Sequence, residues 1–132
     1  MKNLITRNAE LSFDEETGLL HIRMLEGADL NLENTIAHYN AIREITGGKK
    51  YFALIDAKEY FTMSAEALRY TSSKEVTENR IAAAHYNSAA ANKLTADFFR
   101  KYYKPPIPIR VIDSKEEAIA WLLSGDHESG EN

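Results

Sequence analysis

Hydrophobic and polar positions alternate with period two over residues 9–25. Ala9, Leu11 and Phe13 share one side, as do Leu20, Ile22 and Met24, and the DEETG segment between them supplies a turn that Gly18 can close. This is the pattern of a β-hairpin with one buried face. From residue 31 the period lengthens. Asn31 is placed as the N-cap of a helix with Ile36, Tyr39, Ala41 and Ile42 on one side, ended by Gly47-Gly48. YFALID (51–56) is apolar without alternation, the pattern of a strand covered on both faces. Ser64 then caps a predicted helix running through Ala65, Leu68 and Tyr70 to about Val76. RIAAAHY (80–86) reads as a second doubly covered strand. Asn87 or Ser88 is expected to cap a helix whose stripe is Ala91, Leu94, Phe98 and Tyr102, stopped by Pro105-Pro106. IPIRVID (107–113) is the last predicted strand, and Ser114 with Glu117 forms a capping box for a helix holding Ile119, Trp121 and Leu122.

The predicted order is ββαβαβαβα. Helices between successive strands require right-handed crossovers and hence parallel neighbours. The expected fold class is therefore a single α/β domain: an N-terminal hairpin joined to a mixed, largely parallel sheet with about four helices. Residues 1–124 make up that domain, and residues 125–132 are expected to form a polar, flexible tail.

Composition narrows the function classes. A chain of 132 residues, 44% hydrophobic and 27% charged, is one globular domain and too apolar for disorder. Sixteen basic against twenty acidic residues leave a formal charge of −4, which argues against binding a nucleic-acid backbone. Cysteine is absent, so disulfides, thiolate metal sites and cysteine nucleophiles are excluded. The start, MKNLITRNAE, lacks the apolar core of a secretory signal, and no window has the length of a membrane span. A cytoplasmic, bacterial-type protein without integral membrane association is the expectation.

In open parallel sheets, ligands collect outside the carboxyl ends of the strands. Three predicted strand exits carry polar residues there: Asp56, then Asn87 with Ser88, then Asp113. The loop DAKEYFTMSAEALRY adds Tyr60, Thr62 and Ser64 to the same edge. Each exit leads into a helix N-terminus, so these residues also serve as caps and turn formers. Other motifs carry no chemistry. Gly47-Gly48-Lys49-Lys50 joins a helix to a strand, the reverse of a phosphate loop, and its lysine is not followed by Ser or Thr. His21, His38, His85 and His127 have no zinc-ligand spacing, and no G-x-S-x-G accompanies His85 and Ser64. Neither a metal nor a cofactor is expected. The pairs Phe98-Phe99 and Tyr102-Tyr103 fit a core stripe that spills onto the surface; two exposed members would make a dimer or partner patch.

The arrangement, with an Asp ending the third predicted strand and a hydroxyl-bearing loop before the next helix, resembles the STAS fold. That fold occurs in anti-sigma-factor antagonists (SpoIIAA-like) and in the regulatory domains of anion transporters. The closer likeness is to small, stand-alone bacterial STAS/SEC14-like proteins of uncharacterised function. It is carried by GLLHIRMLEGADLNLENTIAHYNAI, KKYFALIDAKEYFTMSAEAL, ENRIAAAHYNSAAANKLTADFF and PIRVIDSKEEAIAWL. In the antagonists a D-S-S-G or D-S-T-G segment follows the Asp-tipped strand and one hydroxyl is phosphorylated. Here Asp56 matches the acid and Ser64 falls near the acceptor, but Met63-Ser64-Ala65-Glu66 lacks the Asp-Ser pair and the glycine. Thr62 and Ser64 are positional stand-ins.

The resemblance implies a non-catalytic signalling or protein-interaction module that docks another protein, or a second copy as a homodimer. Its binding and regulatory residues would be Asp56, Tyr60, Thr62, Ser64, Asn87, Ser88 and Asp113, with phosphorylation as a switch. The alternative is a small apolar ligand or lipid, held in a pocket between sheet and helices lined by Phe52, Leu68, Phe98 and Tyr86.

Overall fold

The computed structural model describes residues 1–127. The predicted hairpin is present as β2 (Ala9–Asp14) and β3 (Leu19–Met24), antiparallel, with Leu11 opposite Ile22. Gly18, at φ 79°, closes its turn by donating to the Asp14 carbonyl at 2.8 Å. A strand that the pattern did not predict precedes it. β1 (Lys2–Ile5) pairs antiparallel with β2 at the sheet edge, and only Leu4 packs inward, so no alternation marks it.

The remaining elements are β4 (Asp29–Leu30), α1 (Leu32–Thr46), β5 (Tyr51–Asp56), β6 (Thr62–Met63), α2 (Ala65–Thr71), α3 (Lys74–Thr77), β7 (Arg80–Tyr86), α4 (Ala90–Tyr103), β8 (Ile109–Ile112) and α5 (Lys115–Leu123). Six strands form one sheet in the order β1-β2-β3-β5-β7-β8, with β3, β5, β7 and β8 parallel. The three crossovers from β3 to β8 advance in one direction. Right-handedness therefore stacks α1, α2 and α4 on the same face. α5 follows the last strand and packs on the opposite face against β5, β7 and β8.

Two hydrophobic cores result, separated by the sheet. The larger contains Leu11, Phe13, Ile22, Ile42, Ile55 and Phe99, and the smaller contains Leu54, Ala84, Tyr86, Trp121 and Leu122. Period two assigns the residues of β5: Tyr51, Ala53 and Ile55 face α1, α2 and α4, whereas Leu54 belongs to the α5 side.

Three caps expected from sequence form. The side chains of Asn31, Ser64 and Ser114 accept from the N–H groups of Asn34, Ala67 and Glu117 at 2.8, 3.0 and 3.1 Å. Gly47 ends α1 at φ 66°. The helix expected from Ser64 to Val76 instead breaks at Ser72-Ser73 into α2 and α3. A second sheet of two residues per strand pairs β4 with β6.

Other expectations are corrected. In α1 the buried positions are Thr35, His38, Tyr39, Ile42, Ile45 and Thr46, while Ile36 is exposed. The two threonines tolerate burial because each hydroxyl donates to a carbonyl one turn back, Asn31 and Ile42. In α4 the predicted stripe is the outer face. Leu94, Phe98 and Tyr102 are 71%, 45% and 63% exposed, and Asn92, Ala96 and Phe99 are buried instead. Neither Asn87 nor Ser88 caps α4: the N-cap is Ala89, without a side-chain bond, and Asn87 adopts φ 57°.

After α5, His127 folds back. Its Nε2 lies 2.9 Å from the Leu122 carbonyl, and its ring meets those of Trp121 and Phe52. Residues 128–132 of the expected tail lie outside the described residues. Among the described residues, no helix is long and apolar enough to cross a membrane.

Candidate functional site

Because β5, β7 and β8 are parallel neighbours, their carboxyl ends share one edge. Asp56 pairs with Tyr86 and Tyr86 with Ile112, so Asn87 and Asp113 leave the sheet side by side with the end of β5. The structure thus brings Asp56, Asn87, Ser88 and Asp113 to one rim. Asn87 and Asp113 are exposed there, whereas the Ser88 hydroxyl is buried without a partner.

Asp56 has two partners in view. Its Oδ1 accepts from the Lys58 N–H at 3.1 Å, an Asx turn that starts the loop. On the α5 side it lies beside the Tyr86 hydroxyl, and that hydroxyl is 2.7 Å from His21 Nε2. Burial first, then the Asp56 carboxylate, pushes the Tyr86 phenol up to about 12. Burial, then the charges of Lys115 and Arg23 against the opposing pull of Asp56, holds the His21 imidazole below its ordinary value. The sequence reading missed His21 and placed Tyr86 in an apolar pocket. A strand histidine at a period-two position gives no local sign of which neighbour it will meet across an intervening strand.

The loop from Asp56 to Ser64 is stapled from below by Asn92, buried on α4. Its Nδ2 donates to the Ala57 and Glu59 carbonyls at 2.7 and 2.8 Å, and its Oδ1 accepts from the Phe61 N–H at 3.5 Å. Gripped at 57, 59 and 61, the loop buries Phe61 and leaves Tyr60 56% exposed. Asn92 was legible only as an oddity, an asparagine inside a helix, where its side chain competes with the backbone.

Thr62 and Ser64 are drawn to the β4 side of this loop. The N–H groups of Thr62 and Ser64 donate to the Ala28 and Leu30 carbonyls at 3.1 and 3.0 Å. Thr62 is exposed and its hydroxyl donates to Asp29 at 2.9 Å. Ser64 is half-buried with its oxygen engaged in capping α2.

A cavity of about 80 Å³ lies between the sheet and α1, α2 and α4. Leu68 lines it as expected, but Phe52 and Tyr86 belong to the other face of the sheet and Phe98 to the outer face of α4. Its walls include Ile55, Phe99 and, unforeseen, His38, Arg80 and His85. Burial first, and Arg80 second, lower His38 and His85 to about 4, so both are neutral at pH 7. Among the described residues no cluster of three or more His, Asp or Glu side chains could hold a metal ion.

Comparison with known proteins agrees with this architecture. A family model described as a domain of unknown function, DUF7793, matches residues 13–125. No curated protein sequence matches. Among solved structures, an uncharacterised DUF3478-family protein from Shewanella loihica PV-4, described as having a SpoIIAA-like fold, superposes with a TM-score of 0.60. The alignment covers 86% of this chain and 91% of that chain at 14% identity. The chain has a SpoIIAA-like fold, as the resemblance implied.

Proposed function

The chain belongs to the DUF7793 family, a domain of unknown function, and we propose that it is a non-catalytic STAS-type module that docks a protein partner through its carboxyl rim. The observation that carries this reading is the Asn92 staple. It fixes the backbone on both sides of Tyr60 and leaves the ring outward. An aromatic on a preformed loop loses little freedom on binding, which is how interface anchors reach high energy. The Tyr60 loop carries Asp56 and Glu59 against Lys58, so the partner surface is basic with a pocket for one ring. Regulation by phosphorylation falls on Thr62, the more exposed hydroxyl.

The test is a photo-crosslinking phenylalanine analogue placed at position 60 in the full chain in cells, with position 17 on the hairpin turn as control. The expected result is a cross-linked protein at 60 that is absent at 17. Identical products at both positions would sink the docking surface, and a product joining two copies of this chain would replace the partner by a homodimer.

A second reading, a small ligand beneath the helices, is favoured by one observation: the cavity beside Leu68 and Phe99. Native mass spectrometry of gently purified protein tests it, and a retained small molecule is the supporting outcome. A clean apo mass, together with no uptake of added small alcohols, would count against it.

A further inference from the structure

Arg80 is 6% exposed, and among the described residues no carboxylate pairs with it. Its burial is built into the sheet. Tyr51 pairs with Arg80 but Phe52 pairs with Ala82, so Ile81 is an extra residue in β7. This bulge inverts the alternation, turning Ile81 outward and Arg80 toward α1, as bulges do where a side chain is re-aimed. There the guanidinium lies 5.2 and 5.5 Å from the ring centres of Tyr39 and Tyr51, and Nε donates to the Tyr51 hydroxyl at 3.2 Å. The two rings offset part of the cost of burying a cation. They leave Nη2 without a partner.

Arg80 lines the same cavity as His38, whose Nδ1 is also unpartnered. A neutral imidazole offers a hydrogen bond without adding charge. The rest of the wall is mostly apolar, including Ile55, Leu68 and Phe99, with His85, Asn92 and three threonines (Thr35, Thr71 and Thr95) among it. We propose that the cavity binds a small organic monocarboxylate, its head group taken by Arg80 Nη2 and its alkyl body lying among Ile55, Leu68 and Phe99. The proposal rests on the ligand-binding reading and adds the charge of the ligand. One arginine flanked by a neutral histidine matches the single charge of a carboxylate, whereas inorganic phosphate at neutral pH is in large part a dianion. A volume of about 80 Å³, roughly half that of an apolar cavity that admits benzene, restricts the ligand to an acid of a few carbons.

The experiment is an NMR titration of the full chain at neutral pH with sodium butyrate, butan-1-ol or sodium phosphate. Butyrate is expected to shift the His38 and Arg80 side-chain signals saturably and to raise the His38 pKa, because a carboxylate favours the imidazolium. Butanol should bind about tenfold more weakly, and phosphate should leave these signals unmoved. Arg80→Met should remove the preference for butyrate over butanol. Should that variant fail to fold, Arg80→Lys keeps the charge without the planar fork and should bind butyrate more weakly than wild type. Butanol binding as tightly as butyrate would overturn the anion and leave the apolar cavity standing. No binding of either would overturn both readings, and phosphate displacing butyrate would overturn the monocarboxylate.

Discussion

His21 Nε2 and the Tyr86 hydroxyl meet at 2.7 Å across β5, which lies between their strands, and Asp56 at the tip of β5 stands beside the same hydroxyl. The hydroxyl thus ties the carboxyl rim to the hairpin. Tyr86→Phe should cost about 1 kcal/mol, the usual worth of one part-buried hydrogen bond, with little change in fold. In an alkaline absorbance titration of the seven tyrosines, the same change should remove a component near pH 12.

Asn92 makes a sharper case, because a buried amide serving three backbone groups leaves unsatisfied carbonyls when it is removed. Asn92→Ala should destabilise by about 2–3 kcal/mol and speed amide exchange at Phe61. Asn92→Asp should be at least as costly, since a carboxylate would face the Ala57 and Glu59 carbonyls. Tyr60→Ala should leave the Tm close to wild type, which separates the docking residue from its support.

Two phenylalanines adjacent in sequence carry opposite expectations. Phe99 is buried against the sheet and Phe98 packs tilted on Tyr102, ring centres 4.5 Å apart, on the outer face of α4. Chemical denaturation should give a loss of about 3–5 kcal/mol for Phe99→Ala and within ~1 kcal/mol for Phe98→Ala. Equal losses would restore the stripe read from periodicity as the core.

What the sequence made legible was local. Asn31, Ser64 and Ser114 act within one turn of themselves, so caps, strands and their parallel order follow from short patterns. The face of α4 was misread because its buried side is Asn92, Ala96 and Phe99, small or polar at two positions of three, while the outer side carries the larger residues. Arg80 was not legible at all. A strand-initial arginine reads as exposed unless the bulge at Ile81 is known, and that bulge depends on pairing with β5. The pairing of β4 with β6 is likewise non-local, with two residues in each strand and no periodicity to detect.

His38 makes stability depend on pH. Its folded value is about 4 against an ordinary 6.5, so the folded state binds fewer protons than the unfolded state between those values. Stability therefore is constant above about 6.5 and falls as pH drops toward 4. A shift of this size corresponds to about 3 kcal/mol. His85 is lowered in the same direction by the same causes. Denaturation midpoints measured from pH 7 to pH 4 should fall, and His38→Gln should remove about half of the histidine part of that slope if the variant keeps its fold, His85 supplying the rest.

Thr62 distinguishes a regulatory hydroxyl from a structural one. Its hydroxyl donates to Asp29, and its N–H and that of Ser64 hold β6 against Ala28 and Leu30. A phosphate, or the carboxylate of Thr62→Glu, would replace that donor by like charge facing Asp29. The small sheet should then open: the Thr62 and Ser64 amides should exchange faster while those of β5 and β7 stay protected. Ser64→Ala removes the cap of α2 instead, costs about 1 kcal/mol, and should leave the Thr62 amide protected. Pairing Thr62→Glu with Asp29→Asn removes the repulsion and should restore the slow exchange. If Thr62→Glu alone exchanges like wild type, a charge at this hydroxyl has no structural element to move, and the switch has no mechanism here.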